Sequence, residues 1–263
     1  MIYIKTEEEI EKMRAAAELT ARTLGEVARW VKPGVTTHRL DSIAREFILD
    51  NGGKPACLGY EGFPGTLCIE VNETVVHGFP SSYTLREGDI VGTDLVVELD
   101  GFNGDSCWTF AVGEVDEAKR RLLDTTLESL YVGIEQAQAG NRIGHIAHAV
   151  QEYCEHRGYS VVREMCGHGI GRDMHEDPEV PNYGRKGTGA LLKPGMCICI
   201  EPMINAGSKN IVIERNGWEC RTRDRKPSAH FEHTILITED QPEILTTFKY
   251  VREALGLPAS ELR

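Results

Sequence analysis

The sequence lacks the features that would place the chain in a membrane or hold it together with disulfides. No stretch approaches the roughly 18 consecutive apolar residues of a membrane-spanning helix, and the N-terminal segment lacks the basic and apolar regions of a secretory signal. The eight cysteines are scattered and form no CxxC pair. We therefore expect a cytoplasmic protein with no membrane association, no disulfide framework and no zinc knuckle.

Positive charge is also scarce. The 29 Lys and Arg residues are outnumbered by 41 Asp and Glu residues, which gives a formal net charge of −12. The one dense basic stretch, residues 221–226, is short and interrupted by Asp224. Because nucleic-acid binding depends on clustered positive charge, we expect no nucleic-acid partner.

The sequence does contain four predicted helices, which form two similar consecutive pairs. Thr6 followed by Glu9 is typical of a capping box, and glycines close the later segments. The spacing from Gly34 to Gly52 is repeated from Gly140 to Gly158. The predicted helices run from Thr6 to about Trp30, from Leu40 to about Leu49, from a cap at Asp116 to near Gly140, and from about Ile143 to His156.

The segments after each helix pair also match, which indicates an internal duplication. LREGDIVGTD at 85–94 and LKPGMCICIE at 192–201 share Leu, a basic residue, Gly and a terminal carboxylate at an offset of 107 residues. The pairs His77-Gly78 and His168-Gly169 match at an offset of 91, which predicts an insertion of about 16 residues. We predict an α+β fold in one domain, residues 1–263, with pseudo-twofold halves of about 1–115 and 116–263 and helices covering an antiparallel sheet.

A hairpin signal places two carboxylates together. The apolar run 89–99 is followed by Asp100-Gly101, a typical two-residue hairpin loop. That loop puts Asp94 opposite Cys107 and diagonal to Asp105, on one face of the sheet. Adjacent carboxylates on a half-buried surface repel unless they share a proton or bind a cation, so we interpret the pair as metal ligands.

Further carboxylates and imidazoles extend this set. Glu201 ends the apolar stretch 196–200, Glu232 begins another, and His168 and His175 lie in the glycine-rich segment CGHGIGRDMHE. Such an oxygen-rich set suits Mn²⁺, Fe²⁺ or Co²⁺, and two ions balance four negative charges better than one. Residues interpreted instead as surface or packing groups are His145, His148, Cys197 and Cys199.

The order of these motifs resembles one enzyme family. VVHGFP, the Asp94/Asp105 pair, CGHGIGRDMHE, CIEPM and FEHT occur together as in bacterial-type (type I) methionine aminopeptidases, metallopeptidases of the pita-bread fold. The resemblance covers nearly the whole chain. It implies an enzyme that removes the initiator methionine from nascent polypeptides when the next residue is small. We expect N-terminal Met peptides as substrates and, because no further amphipathic seam is evident, a monomer.

The resemblance also implies individual roles. Asp105 and Glu232 would bridge two divalent ions such as Co, Mn or Fe, Glu201 would also shuttle the proton, His77 would contact the substrate, and His175 would hydrogen-bond the scissile carbonyl. Relatives often have an aromatic residue at position 174, so Met174 predicts a looser methionine pocket. The implied metal ligands are Asp94, Asp105, His168, Glu201 and Glu232; the implied pocket residues are Tyr60, Phe63, Cys68, Met174 and Trp218; and a monovalent cation is implied near Asn72 and Ser228.

Two alternatives remain at this level. A proline-directed pita-bread peptidase, such as a prolidase or aminopeptidase P, would use a very similar metal set, but such enzymes usually carry an additional N-terminal domain. A non-catalytic pita-bread protein that binds proteins or RNA would typically have lost metal ligands, and all of them are present here.

Overall fold

The computed structural model describes residues 1–258, so the last five positions of the predicted 1–263 unit lie outside the described residues. The helices are α1 (Glu7–Ala28), α2 (Thr37–Asp50), α3 (Glu117–Ile134), α4 (Ile143–Glu155) and α5 (Lys249–Ala254), with a 3₁₀ turn at Tyr60–Gly62. The strands are β1 (Lys54–Pro55), β2 (Cys68–Val71), β3 (Thr74–Val76), β4 (Ile90–Leu99), β5 (Phe102–Ala111), β6 (Ser160–Val161), β7 (Gly167–Gly169), β8 (Glu176–Val180), β9 (Cys197–Ile200), β10 (Met203–Asn205), β11 (Ile211–Ile213), β12 (Cys220–Thr222), β13 (Ser228–His230), β14 (Glu232–Leu236) and β15 (Glu243–Ile244).

The predicted helix starts follow from side-chain caps. The Thr6 hydroxyl accepts the Glu9 N–H at 3.3 Å, and the Glu9 carboxylate accepts the Thr6 N–H at 3.0 Å, which completes the capping box of α1. The Asp116 carboxylate accepts the Lys119 N–H at 2.8 Å at the start of α3. Helix α2 begins earlier than predicted, because Thr36 caps it by accepting the Arg39 N–H at 3.2 Å.

The predicted end of α3 near Gly140 is wrong, since the helix stops at Ile134. The Gly140 N–H donates to the Leu192 carbonyl at 3.1 Å, just as the Gly34 N–H donates to the Leu85 carbonyl at 2.8 Å. Helices α1 and α3 each end six residues before that glycine. The chain must leave the helix early enough to reach these long-range partners.

One antiparallel sheet carries both halves of the chain. Its order is β1-β4-β5-β14-β9-β7-β8, with β2 added beside β4 and β15 beside β14. Strands β4 and β5 form the predicted hairpin, in which Asp94 pairs with Cys107. Asp100 and Gly101 make the turn with φ angles of 51° and 79°, the left-handed region that a two-residue hairpin loop requires. The predicted α+β class with an antiparallel sheet is confirmed.

The two halves meet where β5 pairs with β14. Cys107 lies opposite Glu232 at this seam. Two residues before Cys107 on β5, the Asp105 carbonyl accepts from the Thr234 hydroxyl at 2.9 Å. Two residues before Glu232 on the chain, the His230 carbonyl accepts from the Thr109 hydroxyl at 2.6 Å. This reciprocal pattern places the pseudo-twofold axis between Cys107 and Glu232 and makes Asp105 the counterpart of His230.

The prediction that His77 and His168 are equivalent positions in the two halves is wrong, because the strand pairings relate other residues. Cys68 pairs with Asp94, whereas Gly169 pairs with Ile198 in the second half. If the pairing of Gly169 with Ile198 is extended by three residues along the two antiparallel strands, position 166 lies beside Glu201. Glu201 is the second-half counterpart of Asp94, so position 166 corresponds to Cys68. The counterpart of His168 is therefore Glu70, and the shared His-Gly dipeptides occupy different places in the two halves.

The helices pack on the face of the sheet opposite the carboxylates. Within β4, Leu95 and Val97 point into the main hydrophobic core, while Asp94 and Val96 line a cavity on the other side. Helix α1 lies close over β5, where a Cβ at Gly104 would come within 2.7 Å of the backbone of Ala17. None of the helices in residues 1–258 is both long and apolar enough to cross a membrane.

Candidate metal centre

The five predicted metal ligands converge on one side of the sheet. Asp94 and Asp105 project from the β4–β5 hairpin, His168 from β7, Glu201 directly follows β9, and Glu232 opens β14. The His168 Nε2 atom lies 3.7 Å from Asp105 Oδ2 and 3.6 Å from Glu201 Oε1. Possible ligand atoms of Asp105, His168 and Glu232 all lie within 4.8 Å of one another.

Burial makes this centre electrostatically costly. It raises the pKa of Asp105, Glu201 and Glu232 well above the ordinary range of carboxyl groups, and mutual repulsion, with Asp94 included, adds to the increase. Burial also lowers the pKa of His168 to about 4, with a further contribution from His175. His168 is therefore neutral near pH 7 and has a lone pair available for a metal ion.

The donor set fits a divalent cation. The buried oxygens Asp94 Oδ1, Asp105 Oδ1 and Glu232 Oε1 have no hydrogen-bond partner among residues 1–258. Buried carboxylate oxygens without partners are strongly unfavourable, and a bound cation would satisfy them. The Cys199 Sγ atom also lies within 4.8 Å of ligand atoms of Asp105, His168 and Glu232, and it is 3.7 Å from the Thr234 hydroxyl. The four carboxylates and the imidazole outnumber this single thiol, and such a set suits Mn²⁺, Fe²⁺ and Co²⁺.

Two further histidines face the same cavity as the ligands. The His175 Nδ1 atom lies 3.0 Å from the Tyr60 hydroxyl, and its ring packs edge-on against that of His168 with centroids 4.4 Å apart. The His77 ring meets that of Trp218 with centroids 5.9 Å apart. Burial lowers the pKa of both His77 and His175, so both are neutral near pH 7.

The predicted pocket residues lie next to the carboxylates. A cavity of about 460 Å³ is lined by the five ligands, both histidines and all five predicted pocket residues. Its apolar wall includes the edge-to-face pair of Phe63 and Trp218, with ring centroids 5.3 Å apart, and the buried side chain of Met174. The structure thus brings the residues implied by the resemblance into one space.

Several lining residues escaped the sequence interpretation. Val96 could have been found, because it lies two positions after Asp94 and so on the same strand face. Cys57 packs against Cys68 from an irregular loop for which the sequence gives no spacing signal. The other additional lining residues are Glu61, Val76, Glu164, Met165, Cys166, Gly167 and Glu179.

The remaining candidates lie elsewhere. His145 and His148 line a separate surface groove along α4, where His148 Nε2 is 3.9 Å from the carboxylate of Glu152. Cys197 packs in a small apolar cluster. Asn72 and Ser228 are adjacent, since the Ser228 N–H donates to the Asn72 carbonyl at 2.9 Å. Binding of a monovalent cation at these two residues stays a prediction.

Comparison with known proteins agrees with this geometry. The model of "Metallopeptidase family M24" matches residues 11–239. The Bacillus subtilis protein named methionine aminopeptidase 1 is 47% identical over 246 residues, which cover 94% of this chain and 99% of that protein. The crystal structure of methionine aminopeptidase from Rickettsia prowazekii superposes with a TM-score of 0.92 at 45% identity, over 94% of this chain and all of the other.

A more distant structure shares the fold alone. The prolidase from Pyrococcus horikoshii superposes with a TM-score of 0.75 at 22% identity, and the aligned part covers 92% of this chain but only 63% of the prolidase. The high identity and nearly complete coverage seen with the first two relatives are not found there. The chain therefore belongs to metallopeptidase family M24 and, within it, to the methionine aminopeptidases.

Proposed function

We propose that this protein removes the initiator methionine from nascent polypeptides when the following residue is small, and that it does so with two divalent metal ions. One observation carries the proposal: a buried set of four carboxylates and an imidazole opens into the same cavity as an apolar slot lined by Phe63, Met174 and Trp218. Relatives with nearly complete coverage that are named methionine aminopeptidase support the choice of substrate.

The ligand roles follow from position and charge. Asp94, Asp105, His168, Glu201 and Glu232 would hold the ions, with Asp105 and Glu232 as the bridging carboxylates. Bound divalent ions would supply Lewis acidity and lower the pKa of water towards neutrality. The positive charge of the ions would stabilise most strongly the oxygens of Asp94, Asp105 and Glu232 that have no hydrogen-bond partner in residues 1–258.

Glu201 is suited to carry a proton. Burial and the charges of Asp105 and Asp94 raise the pKa of its carboxyl well above the ordinary value. A carboxyl poised closer to neutrality can accept a proton from the attacking water and return it to the leaving amine. Glu201 is 9% exposed and lies at the cavity, so it reaches the reacting atoms while bulk water is largely kept away.

His175 and His77 would act on the peptide. Burial raises the pKa of Tyr60, which keeps its hydroxyl protonated and able to donate to His175 Nδ1 at 3.0 Å. That hydrogen bond leaves the proton of the neutral ring on Nε2, from which it can be donated to the scissile carbonyl oxygen. His77 directly follows β3, faces the same space and would contact the peptide beside the scissile bond.

The shape of the slot defines the substrate class. Aromatic edges together with the soft thioether of Met174 suit an unbranched, polarizable side chain such as methionine. Because methionine side chains adapt to irregular neighbours, we expect norleucine and leucine to be accepted to a measurable degree. The natural partners would be nascent polypeptides in the cytoplasm, acted on by a monomer.

Peptide hydrolysis separates the candidate activities. The metal-depleted protein is given Mn²⁺ or Co²⁺ and then Met-Ala-Ser or an X-Pro dipeptide, and released amino acids are quantified. Cleavage of Met-Ala-Ser only after metal addition supports the proposal. Preferred cleavage of X-Pro would indicate a proline-directed peptidase, and no cleavage of either peptide at full metal occupancy would indicate a non-catalytic protein.

A further inference from the structure

A second buried cluster of ligand-type side chains lies beside the metal centre. The His230 Nδ1 atom is 3.0 Å from Glu70 Oε1 and 3.3 Å from Glu70 Oε2. The Cys107 Sγ atom is 3.8 Å from Glu70 Oε2. All three side chains are buried, and one ligand atom from each lies within 4.8 Å of the others.

The cluster occupies the positions that the pseudo-twofold axis relates to the first centre. Glu70 is the counterpart of His168, His230 of Asp105, and Cys107 of Glu232, as the strand registers show. The same backbone positions therefore carry metal-ligating residue types on both sides of the axis. Only the chemical types differ, because the second set offers nitrogen, oxygen and sulfur rather than mostly oxygen.

The second cluster is closely packed, and its surroundings hold the ligand side chains in place. Glu70 lies over Gly92, where any side chain would collide with its carboxylate. The His230 carbonyl accepts both from the Cys107 thiol at 3.5 Å and from the Thr109 hydroxyl at 2.6 Å, so it keeps a donor when the thiol loses its proton. His230 Nε2 is buried, has no hydrogen-bond partner among residues 1–258 and lies 3.8 Å from Glu201 Oε2.

We propose that Glu70, Cys107 and His230 form an additional metal site that prefers Zn²⁺. Thiolate and imidazole are ligands that Zn²⁺ prefers, whereas hard cations prefer sites made only of carboxylates. Binding breaks the S–H bond of Cys107 and releases that proton to solvent. The proton that His230 Nδ1 donates to Glu70 in the metal-free protein moves to Nε2, and bonds form from Zn²⁺ to Sγ, to His230 Nδ1 and to a Glu70 oxygen. One thiolate and one carboxylate neutralise the ion, which makes a buried site tolerable.

The site would also act on the neighbouring centre. Coordination through Nδ1 leaves the proton of the His230 ring on Nε2, and that atom faces Glu201. An imidazole held by a metal ion is a fixed hydrogen-bond donor. His230 would then be a positioning residue for the Glu201 carboxylate, while Glu70 and Cys107 act only through the metal ion.

Cobalt spectroscopy and metal analysis test the site without relying on peptide cleavage. The reduced, metal-depleted full chain is titrated with Co²⁺, followed by competition with Zn²⁺. A thiolate-to-cobalt charge-transfer band that Zn²⁺ abolishes is expected in the wild-type protein and in the control Cys154→Ser, whose thiol is buried on α4. The same band should be absent in Cys107→Ser.

A second variant covers the case in which Cys107→Ser does not fold. Loss of an outer-sphere partner alone weakens metal binding by about 10–100-fold, so Glu70→Gln should weaken Zn²⁺ binding at this site by at least that factor. The proposal is overturned if the wild-type protein shows no thiolate band. It is equally overturned if the band survives Cys107→Ser and disappears in Cys199→Ser, which would assign the thiolate to the floor of the first centre.

Discussion

At the scale of single residues, Asp105 shows how burial creates a demand for a cation. Its side chain is 4% exposed, and burial together with the charges of Glu232 and Asp94 raises its pKa well above the ordinary carboxyl value. One of its oxygens has no hydrogen-bond partner in residues 1–258. An ionised carboxylate at this position is therefore stable mainly when a metal ion is bound.

Replacing Asp105→Asn should separate metal binding from folding. We expect metal occupancy to fall and peptide cleavage to drop by more than the roughly 100-fold typical of outer-sphere losses, because Asp105 is a proposed bridging ligand. The metal-free variant should be at least as stable as the metal-free wild type, since a buried charge has gone. Metal analysis, Met-Ala-Ser hydrolysis and thermal unfolding measure the three effects. Asp100→Asn, in the exposed hairpin turn, is the matched control, and equal loss of activity there would contradict the assignment.

Tyr60→Phe should reduce the rate of catalysis more than substrate binding. The variant removes the hydroxyl that lies 3.0 Å from His175 Nδ1 but keeps the aromatic wall of the pocket. One hydrogen bond contributes roughly 1.4 kcal/mol, so we expect kcat to fall about tenfold with KM nearly unchanged. Steady-state kinetics check this, with Tyr153→Phe on α4 as the control. A rise in KM at constant kcat would show that Tyr60 acts only in binding.

Residue types and spacing predicted that Asp94, Asp105, Glu201 and Glu232 form a metal-binding set, whereas the choice of His168 rather than His175 as the imidazole ligand came from the family resemblance. The second cluster was not predicted, since Glu70 and His230 occupy positions where the other half carries His168 and Asp105. A repeat that exchanges acid for imidazole leaves no identity to detect in the sequence. Only strand register reveals that these positions correspond.

At the scale of elements, local signals gave the β4–β5 hairpin with its register. Asp100-Gly101 fixes the turn, and the period of two along each strand then fixes which side chains share a face. The end of α3 could not be found in the same way, because it depends on a hydrogen bond from Gly140 to Leu192, a residue far along the chain. Elements bounded by local chemistry are predictable, and elements bounded by tertiary contacts are not.

Gly104→Ala should weaken the contact between α1 and β5. A Cβ there would lie 2.7 Å from the Ala17 backbone, and backbone atoms of a packed helix cannot rotate away. We expect a loss of about 1–3 kcal/mol, which lowers Tm by roughly 2–4 °C per kcal/mol in a domain of this size. Gly133→Ala in α3 is the control, because the nearest atom there is a side-chain methyl of Val150 at 2.9 Å. Equal effects of both changes would show that helix packing is not the cause.

At the scale of the whole molecule, the charged centre should make stability depend on pH. Asp105, Glu201 and Glu232 have raised pKa values in the folded state, so the folded state holds protons that the unfolded chain releases. The free energy of unfolding then falls as pH rises through the raised values. Buried histidines such as His168 act in the opposite direction, but only up to about pH 6.5, the ordinary histidine pKa.

We therefore expect the metal-free protein to lose stability as the pH rises above about 7, where unfolded histidines are already neutral. Saturating Mn²⁺ should remove most of this loss, because the ion binds the ionised carboxylates of the folded state only. Urea unfolding at a series of pH values, with chelator or with Mn²⁺, measures both profiles. A metal-free profile that is flat or rises above pH 7 would contradict the assignment of the buried carboxylates.

The seam between β5 and β14 has a consequence for how the protein assembles during folding. Asp94 and Asp105 come from one side of the seam, and His168, Glu201 and Glu232 from the other. Neither half alone presents the complete ligand set, so tight metal capture must follow the docking of the two halves. Metal ions bound there would stabilise the joined halves only at a late stage of folding, and the tighter they bind, the larger their contribution to the free energy of unfolding.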